Sequence, residues 1–287
     1  MKADEVKKVG VVGAGIMGSG IVEVCAKAGL DVVFVEADQG ARDRGQAAVE
    51  RSMSKAVERG KLDNESRDQA LSRITGSTAI EDLAGVDLVI EAVTEDLPVK
   101  LDVFRRVDAL VGEDVILATN TSSLPIAELA AVTRRPERVV GMHFFNPPPV
   151  MKLLEIIRAL TTSDETVDFA RAFGDRVGKT TVLAKDRAGF IVNFLLVPYL
   201  NAAVRMYDEG FATREDIDAA IQLGLSHPMG PLTLLDLIGL DTALHVSEVL
   251  YDEFKDPLYA APTLLKRMVS AGYLGRKSGR GFYQYDK

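Results

Sequence analysis

Residues 9–36 constrain the fold more than any other stretch. Val9 to Val12 is a short β-branched run, followed at once by Gly13-Ala14-Gly15-Ile16-Met17-Gly18. Ile21, Val24, Cys25 and Ala28 then recur at helical spacing up to Gly29, and Leu30 to Val35 is a second apolar run that ends at Glu36. Strand, glycine turn, helix, strand and acid in that order describe a βαβ unit. Parallel strands joined this way are covered on both faces, so the neighbouring sequence must supply further buried strands and crossover helices.

The glycine spacing is G-x-G-x-x-G. Alone it is a weak pattern, but a strand before it, a helix after it and an acid beyond the next strand make it specific. Gly13 permits the tight turn, Gly15 lets the backbone approach a pyrophosphate, and Gly18 lets helix and strand pack closely. The helix N-terminus that carries Ile16 and Met17 adds amide donors and a favourable dipole. Glu36 lies 18 residues past Gly18, where a carboxylate can accept both hydroxyls of an adenosine ribose. It would repel a 2′-phosphate, so NAD is expected rather than NADP, although Arg42 and Arg44 follow closely and would suit the phosphate. A glycine turn without a ligand is the plain alternative.

Residues 40–75 interrupt the rhythm. They are polar and helical with no strand among them, which predicts an inserted helical hairpin around Gly60. Leu88 to Val93, Val115 to Thr119, Val139 to Phe144, Leu153 to Ile157 and Thr181 to Leu183 read as further strands, with helices over about 97–111, 125–133 and 164–177. After Asp186 the texture changes: a long apolar helix to about Glu209 contains Pro198, and helices are expected near 214–223, 231–253 and 262–271. The expected organisation is therefore α/β over 1–186 and all-α over 187–287. The second part is very apolar for its size, which points to burial against another copy and so to a homodimer through this domain.

Composition narrows the partners. A net charge of −8 without any strongly basic segment argues against nucleic acid. No uncharged apolar stretch approaches the ~20 residues of a membrane helix. The charged N-terminus MKADEVKKVG does not read as a signal peptide, and the single cysteine allows no internal disulfide, so a reducing cytoplasmic or matrix-like compartment is expected. No metal is called for.

Two turns leave strand ends where open α/β sheets place ligands: Ala92-Val93-Thr94-Glu95 and Asn120-Thr121-Ser122-Ser123. Both are candidates for the nicotinamide side, with helix capping before Pro125 as the competing role for the second. Twelve residues apart, His143 and Glu155 each stand alone in an apolar run, GMHFFNP and KLLEII. A lone polar residue there is costly to bury without a partner. Paired, the two would form a tuned base; otherwise they are unrelated polar residues at strand ends. His227 and His245, in a loop and on a helix, suit structural roles, which leaves His143 as the candidate base. The segment 41–61 carries six basic residues against three acids, and Arg51, Lys55 and Arg59 share one helix face. That face could seat an anionic tail or simply be solvated.

The segments VGVVGAGIMGSGI, LVIEAVTEDLPVK, ATNTSSLPI, GMHFFNPPPVMKLLEI, DRAGFIVNFLLVPYLNAA, HPMGPLTLLDLIGLD and GRKSGRGFY, in this order, resemble the L-3-hydroxyacyl-CoA dehydrogenases, specifically the bacterial 3-hydroxybutyryl-CoA type. The resemblance covers nearly the whole chain. It implies a Rossmann-like NAD-binding domain with a helical-hairpin insertion, followed by an all-α C-terminal domain. It also implies reversible NAD-dependent oxidation of a short-chain L-3-hydroxyacyl-CoA to the 3-oxoacyl-CoA. By the same likeness His143 is the catalytic histidine, Glu155 its carboxylate partner, Ser122 a contact to the substrate oxygen, and Asn193 a residue of the second domain that completes the site. Glu36, Glu95, Lys100, Asn146 and Lys277 resemble residues lining the cofactor, alongside Gly13, Gly15, Ile16, Met17, Gly18, Ala92, Asn120 and Ser122. Ser52 matches a serine near the CoA, with Lys55 and Arg59 as its basic neighbours. Two departures stand out: Arg59 replaces a lysine of the family, and Glu36 replaces a more usual aspartate. Two other readings compete: a dehydrogenase of a small free hydroxy acid, and a non-catalytic, crystallin-like NAD(H)-binding protein.

Overall fold

A computed structural model describes residues 2–285, in two compact units that meet between Asp186 and Arg187. In the first unit the elements run β1 (Lys8–Val12), α1 (Ile16–Lys27), β2 (Asp31–Val35), α2 (Gln39–Glu58), α3 (Asn64–Ser72) and β3 (Ile74–Ser77), then β4 (Leu88–Glu91), α4 (Leu97–Leu110), β5 (Ile116–Thr119) and α5 (Ile126–Ala131). They finish with β6 (Val139–Phe144), β7 (Leu153–Arg158), α6 (Asp164–Arg176) and β8 (Thr180–Lys185).

The eight strands form one sheet in the order β3-β2-β1-β4-β5-β6-β7-β8. All pairings are parallel except β6 with β7. Strand order reverses at β1, between β2 and β4, which opens a crevice at the carboxyl ends of β1 and β4. The central strands β4, β5 and β6 are fully buried, as runs such as Leu88-Val89-Ile90 require when helices cover both faces.

One strand departs from the sequence expectation. The stretch 40–75 contains the helical hairpin α2–α3, and its last two residues begin β3, which ends at Ser77. Ile-Thr-Gly-Ser has one large apolar residue because β3 is an edge strand, paired only with β2 and partly exposed. It needs no apolar run, so hydrophobic patterning could not reveal it.

The second unit is helical: α7 (Val192–Asp208), α8 (Arg214–Leu225), α9 (Pro231–Ile238), α10 (Leu240–Phe254) and α11 (Thr263–Ser270). The single helix expected over 231–253 is two helices, separated at Gly239, whose φ of 100° is unfavourable for other residues. Its core joins Leu200, Val204, Leu232, Leu235, Leu240 and Leu265. Two buried carboxylates tie down the end of the chain. Asp236 accepts the backbone N–H of Phe282 and Tyr283, and Asp218 accepts the Tyr283 hydroxyl.

Candidate active site

The glycine turn joins β1 to α1. Gly13 has φ 88°, and a Cβ there would lie 2.8 Å from the Ala92 carbonyl oxygen. A Cβ on Gly18 would overlap the carbonyl of Gly13, so helix and turn touch backbone to backbone. Gly15 differs: a Cβ there meets no protein atom within 4 Å. The close packing explains Gly13 and Gly18, and the open side of Gly15 faces the room a ligand needs. No side chain caps the N-terminus of α1, and no acid occupies its first turn. The amides and dipole of this helix therefore suit an anionic pyrophosphate. Ile16 is exposed and Met17 half-buried beside them.

At the end of β2, one Glu36 oxygen accepts the Ala14 N–H at 2.5 Å. Glu36, Gly13, Gly15 and Ala92 line a cleft of about 800 Å³ together with Val12, Ala37, Thr94 and Val99. Its volume and its position at the switch point fit a dinucleotide. A larger hollow, of about 1190 Å³, is lined by Ala3, Ile116, Phe169 and Arg176. The catalytic candidates are absent from its lining.

The turns after β4 and β5 are held by one polar cluster. Glu91, 1 % exposed, accepts the Lys100 ammonium and the Val93 N–H at 2.7 Å on one oxygen and the Thr119 hydroxyl at 2.7 Å on the other. Lys100 is equally buried and lies 3.3 Å from Glu95. Glu95 in turn accepts the Thr121 hydroxyl at 2.6 Å and the Ser122 N–H at 2.8 Å, with the Ser122 and Ser123 hydroxyls at 3.3 Å. Burial raises the Glu95 carboxyl, but the Lys100 charge and these donors outweigh it and hold the group below its ordinary value. Neither serine caps α5. Asp186 does, accepting the N–H groups of Ile126 and Ala127.

Sequence reasoning missed Glu91. The signal that singled out Glu155, a lone acid in an apolar strand, was equally present in LVIEAV.

The antiparallel pair β6–β7 sets His143 directly opposite Glu155. His143 Nδ1 lies 2.7 Å from Glu155 Oε2. Both side chains are buried, Glu155 completely. Cross-strand register thus turns a twelve-residue separation into side-chain contact. The Phe145 ring packs against the imidazole at 4.6 Å between centroids. Register also ties this pair to the neighbouring turn. Gly141 pairs with Thr119 on β5, and the Asn120 side chain accepts the Phe144 N–H at 2.9 Å. Asn120 and the Ser122 turn, which follow β5, therefore sit at the carboxyl end of the sheet one strand beyond Glu91 and Glu95, and His143 on β6 stands next to them. Asn146 follows in the exposed β6–β7 connection.

The remaining candidates are on α2 and in the second unit. Gly45, Val49 and Met53 bury one face of α2, while Arg51, Ser52, Lys55 and Arg59 are exposed. No described residue forms an ion pair with Arg51, Lys55 or Arg59. In the second unit, Asn193 is in the first turn of α7 and half-buried, and Lys277 is ion-paired with Asp241 at 2.6 Å.

Comparison with known proteins agrees with this geometry. Residues 8–187 match the family model described as 3-hydroxyacyl-CoA dehydrogenase, NAD binding domain, and residues 189–285 match that of the 3-hydroxyacyl-CoA dehydrogenase C-terminal domain. A 3-hydroxybutyryl-CoA dehydrogenase of Mycobacterium tuberculosis is 50% identical over 99% of this chain and all of its own. One of Clostridioides difficile is 48% identical over 98% of this chain and all of its own. Among solved structures, M. tuberculosis FadB2 superposes with a TM-score of 0.96 at 49% identity, covering 98% of this chain and 99% of that one. The (S)-3-hydroxybutyryl-CoA dehydrogenase PaaH1 of Ralstonia eutropha does so with 0.93 at 49% identity, covering 99% and 100%. With both domain models matched, and with a glycine-turn cleft and a buried histidine–carboxylate pair in the first unit, the chain belongs to the 3-hydroxyacyl-CoA dehydrogenase family, with an NAD-binding first domain.

Proposed function

We propose that this enzyme oxidises short-chain L-3-hydroxyacyl-CoA, 3-hydroxybutyryl-CoA in the first instance, reversibly to the 3-oxoacyl-CoA. The observation that carries the reading is the His143–Glu155 contact at the same end of the sheet as the glycine turn. The names of the relatives support the acyl-CoA substrate.

NAD, when bound, supplies the hydride acceptor. Gly13, Gly15, Gly18 and the first turn of α1 would hold its pyrophosphate, and Glu36 its adenosine ribose. The strand ends carrying Ala92, Glu95, Asn120 and Ser122 would take the nicotinamide side, with Lys100, Asn146 and Lys277 as further cofactor residues. His143 removes the hydroxyl proton. Because Nδ1 faces Glu155, proton exchange with substrate falls to Nε2. Glu155 fixes that tautomer and stabilises the imidazolium that forms, the part a buried carboxylate plays in a serine-protease triad. In the reverse direction the imidazolium returns the proton to the developing alkoxide. Ser122 and Asn193 orient the substrate oxygen, and Ser52, Lys55 and Arg59 bind the anionic CoA. The reading further includes a homodimer formed through the C-terminal domain, where Phe211, Leu223 and Leu225 are exposed, and a cytoplasmic location. No described helix is long and apolar enough to cross a membrane.

The test compares NADH formation from 3-hydroxybutyryl-CoA and from free 3-hydroxybutyrate, in the wild type and in His143→Ala. General acid–base help is worth about 10²–10⁴-fold, so His143→Ala should lose that much turnover while still binding NADH. Turnover of the free acid alone, or no turnover by the wild type, overturns the reading.

A further inference from the structure

The cluster joining Glu91, Lys100 and Glu95 contains two carboxylates and one ammonium, almost wholly removed from solvent except for Glu95, whose side chain is 24% exposed. Lys100 sits closer to Glu91, at 2.7 Å, than to Glu95, at 3.3 Å. Glu91 thus offsets the lysine charge. Without it, the lysine would be balanced by Glu95 alone and the cluster would be neutral. With it, Glu95 retains a net negative charge beside the Ser122 turn, the group of the three that reaches solvent.

A nicotinamide ring is cationic when oxidised and neutral when reduced. A fixed negative charge near the ring therefore acts on one form and not the other, and low local dielectric strengthens the effect. We propose that Glu91 is a positioning residue that sets the preference of the cleft for oxidised over reduced cofactor, by engaging Lys100 and leaving Glu95 negative. The inference rests on the placement of the nicotinamide at the ends of β4 and β5.

The experiment is a pair of binding titrations, NAD+ and NADH, on wild type, Glu91→Gln, Glu95→Gln and Thr119→Val. Thr119→Val removes a hydrogen bond to Glu91 but no charge, and it separates packing from electrostatics. Glu91→Gln should weaken NAD+ relative to NADH by on the order of tenfold, the size expected for loss of one partly buried unit charge. Glu95→Gln should shift the ratio in the same direction and provides the measurement if Glu91→Gln does not fold. Thr119→Val should leave the ratio unchanged, and the shift should persist at high salt, since buried charges are poorly screened. Equal weakening of both forms by the charge-removing variants, or an equal shift in Thr119→Val, overturns the proposal. Failure of wild type to bind either form would instead overturn the cofactor placement beneath it.

Discussion

Glu95 is a carboxylate over which burial and neighbours compete. Desolvation pushes its carboxyl up, while Lys100, Thr121 and Ser122 pull it down by more, below the ordinary 4.5. A carboxyl whose pKa is lower in the folded state contributes stability that is complete above the unfolded value and lost as pH falls through the folded one. Urea midpoints measured over an acid series should therefore fall below about pH 4.5 more steeply in wild type than in Glu95→Gln. Parallel curves would show that Glu95 gains nothing from its neighbours on folding. The same partner logic decides which residues a sequence reveals. His143 and Glu155 stand out because an ionisable group in an apolar strand must find a partner, and their contact meets that demand. Glu91 sends the same signal from LVIEAV, but it lies within a segment otherwise read for its turn, Ala92 to Glu95. Lys100 gives no such signal, because helix α4 is amphipathic and a lysine there looks solvated until its partner is known.

Glycines separate elements that hold together by contact from those left open for a ligand. Gly18 lies where α1 crosses the turn, and an added methyl group would strike the Gly13 carbonyl, which is backbone and cannot yield cheaply. Gly15 is exposed with no protein atom near its missing Cβ, and its φ of −65° suits any residue. Gly18→Ala should cost about 1–3 kcal/mol of stability through overpacking and weaken NADH binding with it. Gly15→Ala should leave the melting temperature within about a degree or two, as an unstrained surface substitution does, while reducing NADH affinity severalfold. Paired thermal melts and NADH titrations check both, and a large loss of stability in Gly15→Ala would mean that the turn serves the fold alone. Elements with strong periodicity were readable in advance, including the βαβ unit and the buried strands β4 to β7. Edge strand β3 was not, because a strand with one partner and an exposed side needs little apolar patterning. The break between α9 and α10 was marked only by Gly239, a single residue within the apolar run Leu234 to Leu240.

The whole molecule carries a net charge of −8 and is proposed to bind two polyanions, a dinucleotide and a CoA thioester. Long-range attraction cannot recruit them, so local features must. For the dinucleotide these are uncapped amides and a helix dipole, which add no formal charge. For CoA the candidate is the outer face of α2. Its inner face, Gly45, Val49 and Met53, is fixed by packing, and Gly45 approaches Ala14 of the glycine turn closely, so a Cβ there would lie 2.7 Å from the Ala14 side chain. The outer row of Arg51, Lys55 and Arg59 is then presented at a defined orientation to the turn, exposed and without a carboxylate partner among the described residues. Exposed charge contacts are weak singly, about 0.2–1 kcal/mol, and are screened by salt. Replacing Lys55 and Arg59 together by alanine should accordingly raise KM for 3-hydroxybutyryl-CoA by roughly two- to tenfold at low ionic strength. It should also flatten the rise of KM with added salt and leave the Kd for NADH unchanged, since Arg51, Lys55 and Arg59 are not among the described residues that line the cleft. Steady-state kinetics over a salt series reads the first two effects and an NADH titration the third. An unaltered KM with an unaltered salt slope would mean that the basic row is solvated surface and that the CoA phosphates are held by other residues.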